Sequence, residues 1–244
     1  MANVLVTGGT RGLGLGIVRT LAAAGHRVIT VARRQSEPLA ALMRDTRPDQ
    51  PASISFRQFD LSDVKGIPAF VRDLRKEFGA FYGLVNNAAL GTSGILATMP
   101  DARIEELLRL NSVSPFVLTK YVVRSMMADG GGRIVNLASI VSSTGFSGLS
   151  VYAATKAAMI GFTRSLAREV GSLGITVNAV APGFIDTEMT ESLQGQQRDQ
   201  VVRRSALRRL ADVDDVANAV EFLLSDKAKN ITGTVVTVDA GSTA

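Results

Sequence analysis

Short, almost uninterrupted apolar runs recur along the chain, separated by longer segments with helical spacing. The first run, Val4-Leu5-Val6, ends at Thr7-Gly8-Gly9-Thr10-Arg11-Gly12-Leu13-Gly14. Leu13, Ile17, Leu21 and Ala24 then recur at the three- and four-residue spacing of one helix face. Gly25 closes that helix, and a second run extends from Val28 to Ala32. Further runs fall at Ile54–Phe59, Leu84–Asn86, Ile134–Ala138, Thr176–Val180 and Val235–Val238. Runs without polar alternation suit strands buried on both faces. Their alternation with helices predicts an α/β chain: a single-domain, Rossmann-type, doubly wound parallel sheet of about seven strands, with helices on both faces.

Two long helices are predicted, from Asp101 to about Ala128 and from Val151 to Gly171. The first should kink at Asn111, because Pro115, four residues on, has no N–H for the Asn111 carbonyl. From Ile185 to about Leu210 the chain turns polar and charge-rich, before a helix that opens near Asp212. That segment reads as a mobile lid over a substrate. With no repeat or low-complexity tract, residues 1–244 read as one domain.

Composition narrows the classes. At 244 residues and 46% hydrophobic, the chain can bury one large core. The opening apolar run is too short for a secretory leader, and no stretch reaches the roughly 18 residues of a membrane span, so no membrane association is expected. With zero cysteines, disulfides and thiolate chemistry are excluded, which fits a reducing cytoplasm. The single histidine, His26, reads as solvated surface, and no metal-ligand cluster is expected. Net charge is +5, with Arg198, Arg203, Arg204, Arg208 and Arg209 close together. Aromatic residues are only 5% of the chain, and no reader motif accompanies the arginines, so nucleic acid is not an expected partner. The cluster reads as a solvated or loop-anchoring group, with docking of an anionic substrate carrier as the alternative.

Candidate chemistry begins at the glycine turn. Strand, glycine turn, helix and strand form the first half of a dinucleotide-binding fold, and here Gly8, Gly12 and Gly14 follow the spacing G-x-x-x-G-x-G. Glycines let the backbone approach a pyrophosphate, while the helix N-terminus supplies amide donors. Where NAD-selective folds place an acidic residue, at the end of the second strand, this chain has Arg33 and Arg34. A guanidinium can bind a 2′-phosphate that a carboxylate would repel, and Arg11 is placed to add a second charge. Tyr152 and Lys156 lie one helical turn apart, thirteen residues beyond Ser139 in the case of the tyrosine. An ammonium near a phenol is expected to lower the phenol pKa and make it a usable acid or base near neutral pH.

Together these residues resemble the short-chain dehydrogenase/reductase family over essentially the whole chain. Its Thr-Gly-x-x-x-Gly-x-Gly matches Thr7, Gly8, Gly12 and Gly14; its Asn-Asn-Ala-Gly appears as Asn86-Asn87-Ala88-Ala89, with Ala89 in the place of a glycine. Asn111, Ser139, Tyr152, Lys156 and Pro182-Gly183 match its other motifs. The resemblance implies NADP(H) as cofactor, held by Gly8, Thr10, Arg11, Gly12, Leu13, Gly14, Arg33, Arg34, Asp60, Leu61, Asn87, Ala88, Ala89, Tyr152, Lys156, Pro182, Gly183, Ile185 and Thr187. Asp60 would bond the adenine, and Asn86 would begin the loop beside the adenosine ribose. Hydride transfer to a carbonyl carbon would accompany proton donation from Tyr152, with Ser139 on the oxygen and Asn111 feeding a proton relay. A homotetramer is the implied assembly.

Within the family, Pro182 to Thr190, Ser165 to Val170 and Ile231-Thr232-Gly233 are most similar to 3-oxoacyl-(acyl-carrier-protein) reductases. The expected substrate is a ketone, most of all a 3-oxoacyl thioester, which a carrier could present. A dehydrogenase of another small ketone, polyol or secondary alcohol is the alternative within this chemistry. A non-catalytic nucleotide sensor is the alternative outside it, and the complete Asn111, Ser139, Tyr152 and Lys156 set argues against that. An arginine that precedes the sixth strand in carrier-dependent relatives is matched here by Leu173.

Overall fold

The computed structural model describes residues 2–46, 53–185 and 196–244, with the side chains of residues 196–198 left out. Seven parallel strands form one sheet in the order β3-β2-β1-β4-β5-β6-β7. They are β1 (Asn3–Thr7), β2 (Arg27–Ala32), β3 (Ile54–Gln58), β4 (Gly83–Asn86), β5 (Gly132–Leu137), β6 (Ile175–Pro182) and β7 (Val235–Val238). Each lies within a few residues of an apolar run in the sequence.

Successive strand residues face opposite sides of the sheet, and both sides are apolar. Val4 and Val6 pack with Ile17 and Leu21 of α1 (Gly12–Ala23), Leu39 of α2 (Glu37–Asp45) and Val216 and Val220 of α9 (Val213–Leu224). Leu5 packs on the other side with Leu74 of α3 (Ile67–Phe78), Leu118 and Val122 of α5 (Ser114–Asp129) and Leu166 and Val170 of α7 (Ser150–Val170). The doubly wound expectation is met by this segregation of helices between two faces. β7 closes one edge with its side chains only partly covered.

The long helix expected from Asp101 to about Ala128 is broken as anticipated, and the break has a definite form. It comprises α4 (Asp101–Leu108), a π-helical turn (Arg109–Val113) and α5. With Pro115 unable to donate, the Ser114 N–H reaches five residues back to the Arg109 carbonyl, and the Ser114 hydroxyl contacts the same carbonyl at 2.8 Å. The wide turn presents Asn111 to the interior, where it is 2% exposed.

Of the expected lid, residues 186–195 lie outside the described residues. The described remainder holds α8 (Gln196–Arg204) and a segment that pairs with the chain end: Leu207 N–H donates to Ala240 O at 3.0 Å and Ala206 N–H to Gly241 O at 3.2 Å. α6 (Val141–Thr144) is a single turn between β5 and α7.

Candidate active site

The glycine turn joins β1 to α1 where the strand order reverses, between β1 and β4, the place at which a doubly wound sheet opens a crevice. Gly8 and Gly12 have φ of 71° and 49°, a region that side chains disfavour. A Cβ on Gly14 would collide with the Gly8 carbonyl oxygen, whereas one on Gly12 would meet nothing within 4 Å. The turn is thus tight inside and open outside. Arg11, the N-cap of α1, makes no side-chain cap, as at the starts of α3, α4, α5 and α7, so the first N–H groups of α1 lack that acceptor. An open turn and an uncapped helix start fit a dinucleotide pyrophosphate.

The loop after β4 is fastened to this turn. Asn87 Nδ2 donates to the Thr7 and Gly8 carbonyls at 2.9 and 3.2 Å, and the amides of Asn87 and Ala88 donate to Thr7 Oγ1 at 3.0 and 2.9 Å. Ala89 follows without backbone strain, since only Arg208 and Ala240 among the described non-glycine residues have positive φ. Arg33 and Arg34 leave β2 exposed, and the Ser36 hydroxyl donates to the Thr10 carbonyl, so both arginines border the same turn as exposed Arg11. Asp60 accepts from Ser62 N–H at 2.9 Å and from its hydroxyl at 2.8 Å. Those bonds, with a smaller contribution from Arg33, hold its carboxyl below the usual range, while Leu61 is buried beside it. On the far side, Gly183 N–H donates to Val238 O at 2.9 Å and Ile185 bridges to Ala211 next to Pro182. Thr187 lies outside the described residues.

Asn86 ends β4, where the loop begins as expected; its side chain is 5% exposed and turned into the core, with Nδ2 donating to Thr119 Oγ1 at 2.9 Å and Asn136 Oδ1 at 2.8 Å. At this strand position the side chain points into the helical layer that contains α5.

The chemical residues converge. Ser139 follows β5, and its side chain lies near enough to Tyr152, at the start of α7, to favour the phenolate. One turn on, Lys156 is 4% exposed; its Nζ donates to Leu137 O at 2.8 Å and sits 5.7 Å from the centre of the Tyr152 ring. Asn111 exchanges two bonds with the Leu90 backbone, at 2.8 and 2.9 Å, and donates to Thr155 Oγ1 at 3.3 Å. All four predicted catalytic residues therefore meet beside the crevice.

The expected lowering of the phenol pKa is not found in this chain. Burial pushes Tyr152 up to about 12, and the nearby Ser139 side chain only partly offsets it. Lys156 is itself desolvated, which brings it down to about 8. The ammonium is committed to a backbone carbonyl and not to the phenol oxygen, so burial outweighs attraction.

Sequence reasoning overlooked the second layer: the Leu137 carbonyl, Thr155, Asn136 and Thr163. The available signal was polar residues inside apolar runs, such as Asn136 within Ile134–Ala138.

A Rossmann-type crevice with a Ser–Tyr–Lys cluster at its mouth defines a nucleotide-dependent oxidoreductase. Comparison with known proteins agrees. A family model described as Enoyl-(Acyl carrier protein) reductase matches residues 8–243. The 3-oxoacyl-[acyl-carrier-protein] reductase FabG of Escherichia coli is 41% identical over 237 residues, covering 97% of this chain and 95% of that protein. Its Staphylococcus aureus counterpart is 36% identical, covering 98% and 97%. Among solved structures, a short-chain type dehydrogenase/reductase from Mycobacterium ulcerans superposes with a TM-score of 0.92 at 28% identity, covering 99% of this chain and 89% of that one. A mutant of a Serratia marcescens short-chain dehydrogenase/reductase gives 0.91 at 31%, covering 100% and 98%. The chain belongs to the short-chain dehydrogenase/reductase family.

Proposed function

We propose that this protein is an NADPH-dependent reductase of 3-oxoacyl thioesters or closely related ketones. The observation that carries the reading is the convergence of Ser139 and Tyr152 with Lys156, whose Nζ lies 5.7 Å from the Tyr152 ring centre, at the crevice mouth. When bound, a reduced nicotinamide supplies hydride to the carbonyl carbon. Tyr152, protonated at neutral pH, donates its proton to the carbonyl oxygen, and Ser139 stabilises the charge developing there. Lys156 holds the ribose side of the cofactor and the Asn111 carbonyl serves the proton relay. The relatives named as 3-oxoacyl-[acyl-carrier-protein] reductases support the thioester substrate. NADPH consumption against matched carrier-linked, CoA-linked and free ketones tests it; inactivity on all three classes would sink it.

NADPH preference rests on Arg33 with Arg11. Arg33→Asp should raise the KM for NADPH by about 10–100-fold while affecting NADH far less, because a charge-assisted bond becomes a repulsion. Equal effects on both cofactors in steady-state kinetics would show that this arginine does not meet the 2′-phosphate.

Dependence on a carrier protein should be weak. Leu173, 39% exposed in the turn Gly171–Leu173, stands where carrier-dependent relatives use an arginine, and loss of that charge weakens steering of an acidic partner. A strong preference for the carrier-linked substrate that fades steeply with added salt would contradict this.

We further propose a homotetramer with two kinds of two-fold interface. Exposed Leu108 and Val113 mark one at the broken helix, while exposed Phe222 on α9 and partly covered β7 mark the other. Light scattering at micromolar concentration should give four chains; a monomer would overturn it.

A further inference from the structure

A continuous hydrogen-bonded chain crosses the otherwise apolar layer between the sheet and its α5–α7 face. Thr119 of α5 accepts from Asn86 Nδ2 at 2.9 Å, Asn86 Nδ2 also reaches Asn136 Oδ1 at 2.8 Å, and Asn136 Nδ2 reaches Thr163 Oγ1 on α7 at 2.8 Å. The Thr163 hydroxyl donates in turn to Met159 O at 2.8 Å. Thr119, Asn136 and Thr163 are each 0% exposed. Around them lie Leu118, Val122, Leu166 and Val170, which would pack about as well if α7 slid or rotated along the sheet. Apolar contacts tolerate such shifts, whereas a buried amide left without its partner is costly. The polar chain therefore admits one register.

That register bears on the site. Thr163 follows Lys156 by seven residues, two turns along the same face of α7, and Asn136 immediately precedes Leu137, whose carbonyl receives the Lys156 ammonium. The Asn136–Thr163 bond and the Leu137–Lys156 bond are two rungs between the same strand and the same helix. We propose that Thr163, acting through Asn136, is a positioning residue that fixes α7 on β5 and so places Lys156 and Tyr152 for the reaction. This rests on the ketone-reductase reading above. Among the described residues Tyr152 is the titratable side chain beside Lys156, and burial is what lowers the Lys156 pKa.

The test compares Thr163→Val, which keeps shape but removes the hydroxyl, with Thr163→Ser, which restores it. Lys156 is titrated by NMR in protein carrying ε-13C-lysine, its resonance assigned by its loss in Lys156→Met. Thr163→Val should move the Lys156 midpoint from about 8 by roughly a unit and lower kcat on the order of 10–100-fold, with KM changing much less. Thr163→Ser should return both to the parent values. Asn178→Ala, which removes a buried amide bonded to Ile231 O at 2.8 Å and Thr234 N at 3.3 Å, controls for destabilisation and should leave the midpoint in place. If Thr163→Val does not fold, Asn136→Ala carries the same test, since the Thr163 hydroxyl keeps Met159 O. An unmoved midpoint in Thr163→Val, or a serine variant that behaves like the valine one, overturns the proposal. Turnover that survives in Lys156→Met would defeat the reductase reading instead, while the titration would still decide the positioning role.

Discussion

Tyr152→Phe is expected to abolish turnover while leaving fold and nucleotide binding close to the parent. The ring still fills its half-buried place at the start of α7, and only the hydroxyl near Ser139 is lost. Removing a positioned proton donor costs about 10²–10⁴-fold or more in kcat. With burial holding the phenol up at about 12, the group is protonated across the neutral range. Parent reduction should therefore show no alkaline-limb loss from this residue until pH nears the phenol pKa, and alcohol oxidation should quicken as pH rises toward it. Substantial residual turnover in Tyr152→Phe, with an unchanged pH profile, would remove the residue from its role.

Lys156→Met should be inactive and, measured without added nucleotide, more stable at pH 7 than the parent. The folded-state pKa falls from 10.5 to about 8 because the ammonium is taken out of water. At 1.36 kcal/mol per unit, burying the charged form costs roughly 3 kcal/mol, and the bond to Leu137 O returns about 1 kcal/mol of what the variant gains. A net gain of about 1–2 kcal/mol corresponds to a rise of several degrees in Tm for a chain of this size. The sign follows from linkage. A depressed folded-state pKa withholds stability below pH 8 and restores it as pH rises toward 10.5, so the variant's advantage should fade over that interval. Denaturation at pH 7 and pH 10 measures both ends; a parent more stable than the variant at pH 7 would refute the account.

Much of this was legible in the sequence because the relevant signals are local. Apolar runs mark strands in an α/β sheet, Gly8, Gly12 and Gly14 mark a turn, and Pro115 marks the break at Asn111. The less legible features depend on juxtaposition. Tyr152 and Lys156 are neighbours at helical spacing, yet whether the lysine lowers the phenol pKa depends on where Nζ points, and it points to the Leu137 carbonyl. Asn86 is legible as the end of a strand, but that its amide bonds Thr119 and Asn136 is not. The partnership of Asn136 with Thr163 joins residues that share no local pattern.

The π-helical turn at Arg109–Val113 makes chain length at one point a determinant of activity. A π turn holds one residue more than the α-helical path it interrupts. Deleting a single residue from this turn would restore the α-helical path and leave α5 in place, but it would remove the bulge that presents Asn111 to the interior. Side-chain identities could all survive such an indel while Asn111 lost Leu90 and Thr155. Among homologues, the spacing between the β4 loop and Pro115 is thus as informative as the residue at the asparagine position. Designs that graft this site need to preserve that count before they optimise any side chain.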